Sequence, residues 1–383
     1  MHVLILGARA PACLEWARAF SASGWCVTAA DSLAWPVTRS SRAVNTYARL
    51  PEPRKDAETW INALQYLVDE RNIDLILPTC EEAFYLSHGL DQLSLNCRVM
   101  TTDFATMHRL HHKYQFTRMI TDWPITAPET WLLDTPESVA QLGHMADELV
   151  FKPVYSRFAS RTLIRPDGPP QIQPDMAQPW VAQRYVEGRE HCSYSLLVKG
   201  KLTAHACYHP RYRVGQGSGI YFEPTDPAPV RAFLERFGAE TGYTGQVAFD
   251  FIETHDGCFH VLECNPRATS GIHLFDDQPQ KLVAALLGER QDGVLLPSHA
   301  PRMVALAMLL FAAPRYALRP AFWRDFNRAH DVVTRPGDRS PLPAQIPGLL
   351  EITGRALARR RGLLAAATAD IEWDGQPLKG HAR

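Results

Sequence analysis

The sequence predicts an α/β protein in three parts: an N-terminal domain on a parallel sheet, an α+β domain, and a mixed, partly helical C-terminal extension. Three observations predict it. Over the first hundred of the 383 residues, short apolar runs alternate with helical segments, the pattern of parallel strands joined by crossover helices. From about residue 148 to 264, strand-like runs follow one another with few helices between them, which suits a largely antiparallel sheet. Beyond about residue 296, Pro-rich turns mix with a basic helix. Boundaries are expected at 1–103, 104–295 and 296–383.

In chain order, residues 3–6 read as a buried strand, 12–23 as a helix closed by Gly24, and 25–29 as a second strand ending at Asp31. Residues 74–78 are a further strand, and Thr79-Cys80-Glu81-Glu82 mark a helix start. Residues 104–120 read as one helix, broken at Asp122-Trp123-Pro124. Strands follow at 148–153, 180–186, 191–198, 201–208, 246–252 and 258–264. Residues 278–288, 301–312 and 354–367 read as helices. The result is a Rossmann-like N-terminal sheet followed by a strand-rich domain.

Composition removes several function classes. Hydrophobic residues make up 46% and charged residues 21%, which excludes a disordered polyelectrolyte. Forty Lys+Arg against 41 Asp+Glu leave a net charge of −1, so nothing global draws the chain to nucleic acid. The eight cysteines form no CxxC pair, which predicts reduced, mostly buried thiols in a cytoplasmic protein. No basic region precedes Val3-Leu4-Ile5-Leu6, so no secretory signal is expected. The longest apolar run, 303–313, is about half the roughly 20 residues a bilayer requires.

The first turn is not a dinucleotide fingerprint. Gly7 is present, but Pro11 stands where another glycine is needed. Asp31 is the residue a ribose would contact, yet the missing glycines argue against NAD. Glu81 and Glu82 sit where open α/β sheets bind ligands; the other reading is acidic complement to a helix dipole.

The strongest local signal runs from Phe249 to Arg267. A two-residue turn at Asp256-Gly257 would pair His255 with Cys258 and set Asp250 directly opposite Glu263. Asn265 shares the face of Glu263, while Phe249, Phe251, Leu262 and Cys264 fall on the other. Opposed carboxylates repel, and a hard divalent cation relieves that, with Asn265 as a further oxygen ligand. On this reading, Glu263→Gln leaves the metal-free fold no less stable. Arg267 beside such a site is placed to hold phosphate or carboxylate. Lys152 ends an apolar strand and needs an anion, unless it snorkels to water.

Together and in this order, these pieces resemble the ATP-grasp superfamily of carboxylate–amine ligases, from about Lys113 to His273. The resemblance implies a pre-ATP-grasp domain, then an ATP-grasp domain with its nucleotide cleft between about 104–187 and 188–295. It implies that Asp250, Glu263 and Asn265 hold one or two Mg2+ ions, or Mn2+ in their place, against the phosphates of ATP. Lys113 and Lys152 would contact those phosphates. Gln183 and the backbone at Tyr185 and Val186 would read adenine, and Glu190 would take the ribose hydroxyls. Arg267 would bind the acceptor carboxylate, with Glu81, Ser270 and His273 facing the acceptor. The family's glycine-rich lid is replaced here by residues 154–161, where Arg157 and Arg161 would cover phosphate. Residues 209–219 offer a second lid, with Arg213 closing over charge.

The implied chemistry is phosphoryl transfer from ATP to a carboxylate, then attack by an amine on the acyl phosphate, with ADP and phosphate released. Alternatives are carbamoyl-phosphate-synthase-like or carboxylating chemistry in the same family, or a non-catalytic nucleotide-binding protein. Expected partners are a small carboxylate and an amine, with a homodimer one allowed arrangement. Arg355, Arg359, Arg360 and Arg361 with Leu357, Leu363 and Leu364 suggest either a solvated helix face or a peripheral lipid contact, helped by Phe311, Trp323 and Phe326. The stretch 369–375 reads as a terminal strand or docking segment.

Overall fold

Val3, Leu4, Ile5 and Leu6 are at most 1% exposed, so the first strand must be covered on both faces. In the computed structural model, which describes residues 1–93, 96–157, 161–215 and 217–378, this strand is the middle of a parallel sheet. β1 (His2–Leu6), β2 (Cys26–Asp31), β3 (Thr46–Arg49), β4 (Leu75–Leu77) and β5 (Arg98–Val99) lie in the order β3-β2-β1-β4-β5. The helices Pro11–Ala22, Ala57–Arg71 and Glu82–Gly89 make the crossovers. Pro11 opens the first without losing a needed donor, and the Asp56 carboxylate caps the second through the Thr59 N–H. The strand order reverses between β1 and β4, which leaves a crevice at their C-terminal ends.

A small antiparallel sheet follows, with β6 (Thr130–Leu133), β7 (Leu149–Pro153), β8 (Leu163–Ile164) and β9 (Trp180–Arg184) in the order β6-β9-β7-β8. The largest sheet has seven strands. β10 (Arg189–Val198), β11 (Lys201–Val214), β12 (Ser218–Thr225), β13 (Gly245–Glu253), β14 (Phe259–Asn265), β15 (Arg302–Met303) and β16 (His330–Asp331) lie in the order β14-β13-β10-β11-β12-β15-β16.

The structure departs from the sequence expectations at five places. The helix expected over 104–120 is two, Phe104–His111 and Lys113–Met119. His112 takes an extended ψ of 98° and its ring caps the second helix at Gln115. The lid expected at 209–219 is mostly hairpin, because β11 runs on to Val214 and β12 starts at Ser218; Gln216 lies outside the described residues. Tyr212 and Tyr221 anchor these strands against Tyr316 and Phe322. The helix expected over 301–312 begins as β15, then becomes a short helix with a π-helical turn at Met308–Ala312. Of the cysteines expected to be mostly buried, Cys26 and Cys258 are exposed, and all eight are free.

The final departure is in the hairpin of β13 and β14. Asp250 does pair with Glu263, and Ala248 with Asn265. The turn is longer than Asp256-Gly257, since Glu253 pairs with Phe259. A bulge at Leu262 then restores the register between Asp250 and Phe251. Two sequence-level errors cancel.

The tail crosses the whole molecule. β15 and β16 lengthen the large sheet. Arg335 pairs with Glu15 and Asp338 with Arg18, tying this stretch to the first helix. The helix Pro341–Arg359 leads on to residues 368–378, which return to the N-terminal sheet. There Asp370 pairs with Arg9, itself paired with Asp31. Asp31 is therefore not available to a ribose. The space left in that crevice, lined by Gly7, Asp31, Ser32, Glu82 and Ile371, admits about 10 Å³. Among the described residues, no helix is long and apolar enough to cross a membrane.

Candidate active site

Two walls meet at Glu263. One is the sheet of β6 to β9 with the helix Lys113–Met119; the other is the hairpin of β13 and β14. On the first wall Lys152 ends β7 with its ammonium buried. Its Nζ donates to Gln183 Oε1 at 3.1 Å and to the carbonyl of the bulged Leu262 at 3.5 Å. Gln183 in turn donates to Thr130 Oγ1. Lys113, at the first position of its helix, donates to the carbonyls of Ser156 and Val154. Its Nζ is 3.3 Å from Glu263 Oε2, and that of Lys152 is 3.8 Å away.

The electrostatics follow from this meeting. Burial opposes ionisation of Glu263, but Lys113 and Lys152 outweigh it and hold the carboxyl down at about 2. Burial lowers the Lys152 ammonium to about 8, against the pull of Glu263. Asp250 has no such cation. Burial and the facing Glu263 charge push it up to about 7.

Asn265 links this pair to an arginine. Its amide donates to Asp250 at 3.3 Å, and its Oδ1 accepts from Arg267 Nη2 at 3.2 Å. Arg267 Nε donates to Glu81 Oε1 at 2.6 Å, and the other Glu81 oxygen is 2.7 Å from Arg157 Nε. Burial works against the Glu81 charge, yet Arg157 and Arg267 bring the carboxyl down to about 2. Glu81 is thus tied up by two arginines rather than open to a substrate.

Arg157, expected over phosphate, is instead 6% exposed and paired with Glu81 and Asp374. Arg161 stacks on Trp180; Phe158, Ala159 and Ser160 of that expected lid lie outside the described residues. Glu190 and Arg213 pair with each other across β10 and β11. The Tyr185 N–H donates to the carbonyl of Glu148, and its ring lies under Arg165. Val186 follows, half-buried. At Gly188 the chain rests on β13 so closely that a Cβ would lie 2.2 Å from the Glu253 carbonyl. Ser270, half-buried, opens a short helix. His273 is 2% exposed, bonded to Glu15 at 3.0 Å and stacked on Phe222. It serves the packing of the first helix, so the expected substrate contact is closed off.

The donor set suits a hard cation. Carboxylate and amide oxygens are ligands suited to Mg2+, and burial together with the facing Glu263 charge disfavours the Asp250 anion until a cation joins it. Among the described residues no group of three or more His, Cys, Asp or Glu is placed to hold a metal. The pair therefore supplies only part of a six-coordinate shell, and ligand oxygens and water must complete it.

No family model and no curated protein matches the sequence. Solved structures do. An N5-carboxyaminoimidazole synthetase from Staphylococcus aureus complexed with ADP superposes with a TM-score of 0.58 at 11% identity, over 92% of this chain and 97% of that one. An L-amino acid ligase from Bacillus licheniformis gives 0.57 at 16%, over 76% of each chain. A phosphoribosylamine–glycine ligase from Thermotoga maritima gives 0.57 at 16%, over 79% and 78%. The chain has the ATP-grasp fold. Lys113, Lys152 and Glu263 meet where the two walls described above come together, with Asp250 and Asn265 beside them on the hairpin.

Sequence reading missed two features here. Glu263 meets the lysines of the other wall, a long-range contact without a local signature. The segment Trp373-Asp374 reaches Arg157; the sequence shows it only as a docking segment.

Proposed function

We propose that this chain is an ATP-dependent ligase that converts a carboxylate to an acyl phosphate and joins it to an amine, releasing ADP and phosphate. The observation that carries the reading is the meeting of Lys113, Lys152, Asp250 and Glu263 at one point between two sheets. In the absence of nucleotide the two lysines rest on Glu263. A triphosphate would take their place as counter-charge, and Mg2+ held by Asp250, Glu263 and Asn265 would neutralise the charge on the transferred phosphoryl group. Gln183, Tyr185 and Val186 line the adenine end, and Glu190 the ribose. Arg267 receives the acid. An oxygen of the acid attacks the γ-phosphorus as ADP leaves; the amine then displaces phosphate. Catalysis of this kind is mostly positioning and electrostatics. The ADP bound to the S. aureus synthetase and the amide-forming names of the other two enzymes support the reading.

The test is a panel of carboxylic acids with MgATP and hydroxylamine. The expected products are a hydroxamate and ADP. AMP and pyrophosphate would mean adenylation and overturn the mechanism, and ADP formed with bicarbonate alone would turn the reading to carboxylation. Lys152→Ala should weaken MgADP roughly 10- to 150-fold, the value of a charge-assisted contact of about 1.5–3 kcal/mol. Unchanged calorimetric affinity in the folded variant would leave Lys152 as a counter-charge to Glu263 with no part in nucleotide binding.

We also propose a peripheral contact with anionic lipid, centred on residues 306–328. On the basic helix Arg355 and Arg359 pair with Glu52, while Leu357, Arg360, Arg361, Leu363 and Leu364 stay exposed. Leu309, Leu310, Phe311, Leu318 and Trp323 are exposed too, Leu318 by 99%. Arg315, Arg319, Arg324 and Arg328 stand exposed among them, and Asp325 is buried against Tyr212. An isologous dimer there would set arginines against arginines. Flotation with phosphatidylserine vesicles, lost on Leu318→Asp, is the expected result; no flotation removes the proposal. The free thiols fit a cytoplasmic location.

A further inference from the structure

An unbroken series of polar contacts runs from the C-terminal segment to the carboxylate pair. Asp374 Oδ1 is 2.7 Å from Arg157 Nη1, and the Trp373 carbonyl accepts from Arg157 Nη2 at 2.6 Å. Arg157 Nε is 2.7 Å from one oxygen of Glu81, and Arg267 Nε is 2.6 Å from the other. Arg267 Nη2 then reaches Asn265, and Asn265 reaches Asp250. The linked residues come from five separate stretches of the sequence.

We propose that Glu81 and Asp374 are positioning residues, and that the C-terminal segment completes the seat for the acceptor carboxylate by fixing Arg267. The proposal rests on the ligase reading above and goes further, since it gives the last residues of the chain a task in that site.

The geometry of Arg267 carries it. A guanidinium has five N–H groups. Among the described residues, three of them are directed at Glu81, the Ala268 carbonyl and Asn265. One N–H remains on each terminal nitrogen. These two are free for a carboxylate or an acyl phosphate. Glu81 holds Nε and so helps to set the direction in which they point. Glu81 itself is buried. It is held by Arg157, and Arg157 needs a second anion to remain between its partners. Asp374 is that anion; Glu372 stands farther off, at 3.9 Å.

The segment is itself anchored. Trp373 is 3% exposed and packs on Phe84, Phe104, His108 and Tyr155. Gly375 has a φ of +83°, and a Cβ there would lie 2.3 Å from the Tyr155 ring. The tail can therefore lie against Tyr155 only with glycine at this turn. Asp374 is held further by Arg54 Nη2 at 2.8 Å. Trp373 anchors the segment, and of the two guanidinium groups that Asp374 meets, Arg157 leads inward to Glu81 and Arg267.

The test uses the full-length protein with selectively 15N-labelled arginine. The Nε–H signal of Arg267, assigned by its loss in Arg267→Lys, should exchange slowly with solvent. In Glu81→Gln and Asp374→Asn it should exchange about tenfold faster or more, because the bond to Glu81 is loosened. Asp374→Glu should restore slow exchange. In the hydroxamate assay, Glu81→Gln and Asp374→Asn should lower kcat about tenfold and leave MgADP affinity within about twofold. An Asp374→Asn protein with wild-type exchange at Arg267 overturns the proposal. So does parallel loss of MgADP affinity and kcat, which marks general structural damage. If no acid yields hydroxamate with the wild type, the ligase reading falls, and the exchange measurement still decides whether the tail fixes Arg267.

Discussion

Asp250 and Glu263 face each other across β13 and β14, but the two acids are not equivalent. Glu263 leans on Lys113 and Lys152, whereas Asp250 has no ion-pair partner among the described residues, only the Asn265 amide, the Cys192 thiol and the more distant pull of Arg213. The sequence predicts a symmetric, mutually repelling pair; the lysines from the other wall break that symmetry. Stability without metal should therefore respond in opposite ways. Asp250→Asn should be neutral or stabilising, since it removes a disfavoured charge. Glu263→Gln should cost about 1–3 kcal/mol, because two buried lysines lose their counter-charge. Urea denaturation in EDTA measures both. An equal response of the two variants would contradict the asymmetry. Both should lose turnover, since each removes an anionic oxygen from the metal position.

At the scale of elements, the hairpin shows what a pattern can and cannot specify. Alternation along 245–253 and 259–265 selects the faces, so Phe249 and Cys264 go inward and Asp250 and Glu263 into the cleft. Alternation does not reveal the turn from Thr254 to Cys258, nor the bulge at Leu262, which depends on how the second strand meets its neighbours. The terminal segment is similar. Its composition suggested docking; its partners come from residues more than 200 positions away. Trp373→Ala should cost about 3–5 kcal/mol, through lost burial and a cavity among Phe84, Phe104 and Tyr155. The urea midpoint should fall with an unchanged slope. A loss under 1 kcal/mol would mean that the ring is not fixed in the core, against about 3–5 for a packed one.

Across the whole molecule, buried ion pairs join parts distant in sequence. Arg9 connects Asp31 to Asp370, Arg157 connects Glu81 to Asp374, and Arg335 connects Glu15 to Asp276. Folding brings Glu81 down to about 2 and pushes Asp370 below the usual carboxylate range; burial opposes both shifts and the arginines prevail. An unfolded glutamate titrates near about 4.3. Between those values the unfolded chain binds more protons than the folded one, so stability falls as pH falls. The contribution of Glu81 should be complete above about pH 5 and lost by about pH 2. Urea midpoints from pH 6 to 3 should drop less steeply in Glu81→Gln than in the wild type. Parallel curves would show that the Glu81 carboxyl is not held ionised.

The sequence by itself determined the parallel sheet, the strand-rich stretch and the face on which Asp250 and Glu263 stand. Those depend on local period, a short-range property written in neighbouring side chains. The pairing of Asp250 with Glu263 needed the bulge at Leu262 as well. Only the tertiary structure decided what those residues touch. It drew Lys113 and Lys152 onto Glu263, turned Arg157 from a lid residue into a strut, and closed the NAD-like crevice with Asp370 and Ile371. It also sealed His273 against Glu15. The physical reason is common to all four. A buried charge must find an opposite charge, and the nearest one in space is set by how the sheets and the tail pack, not by its distance along the chain.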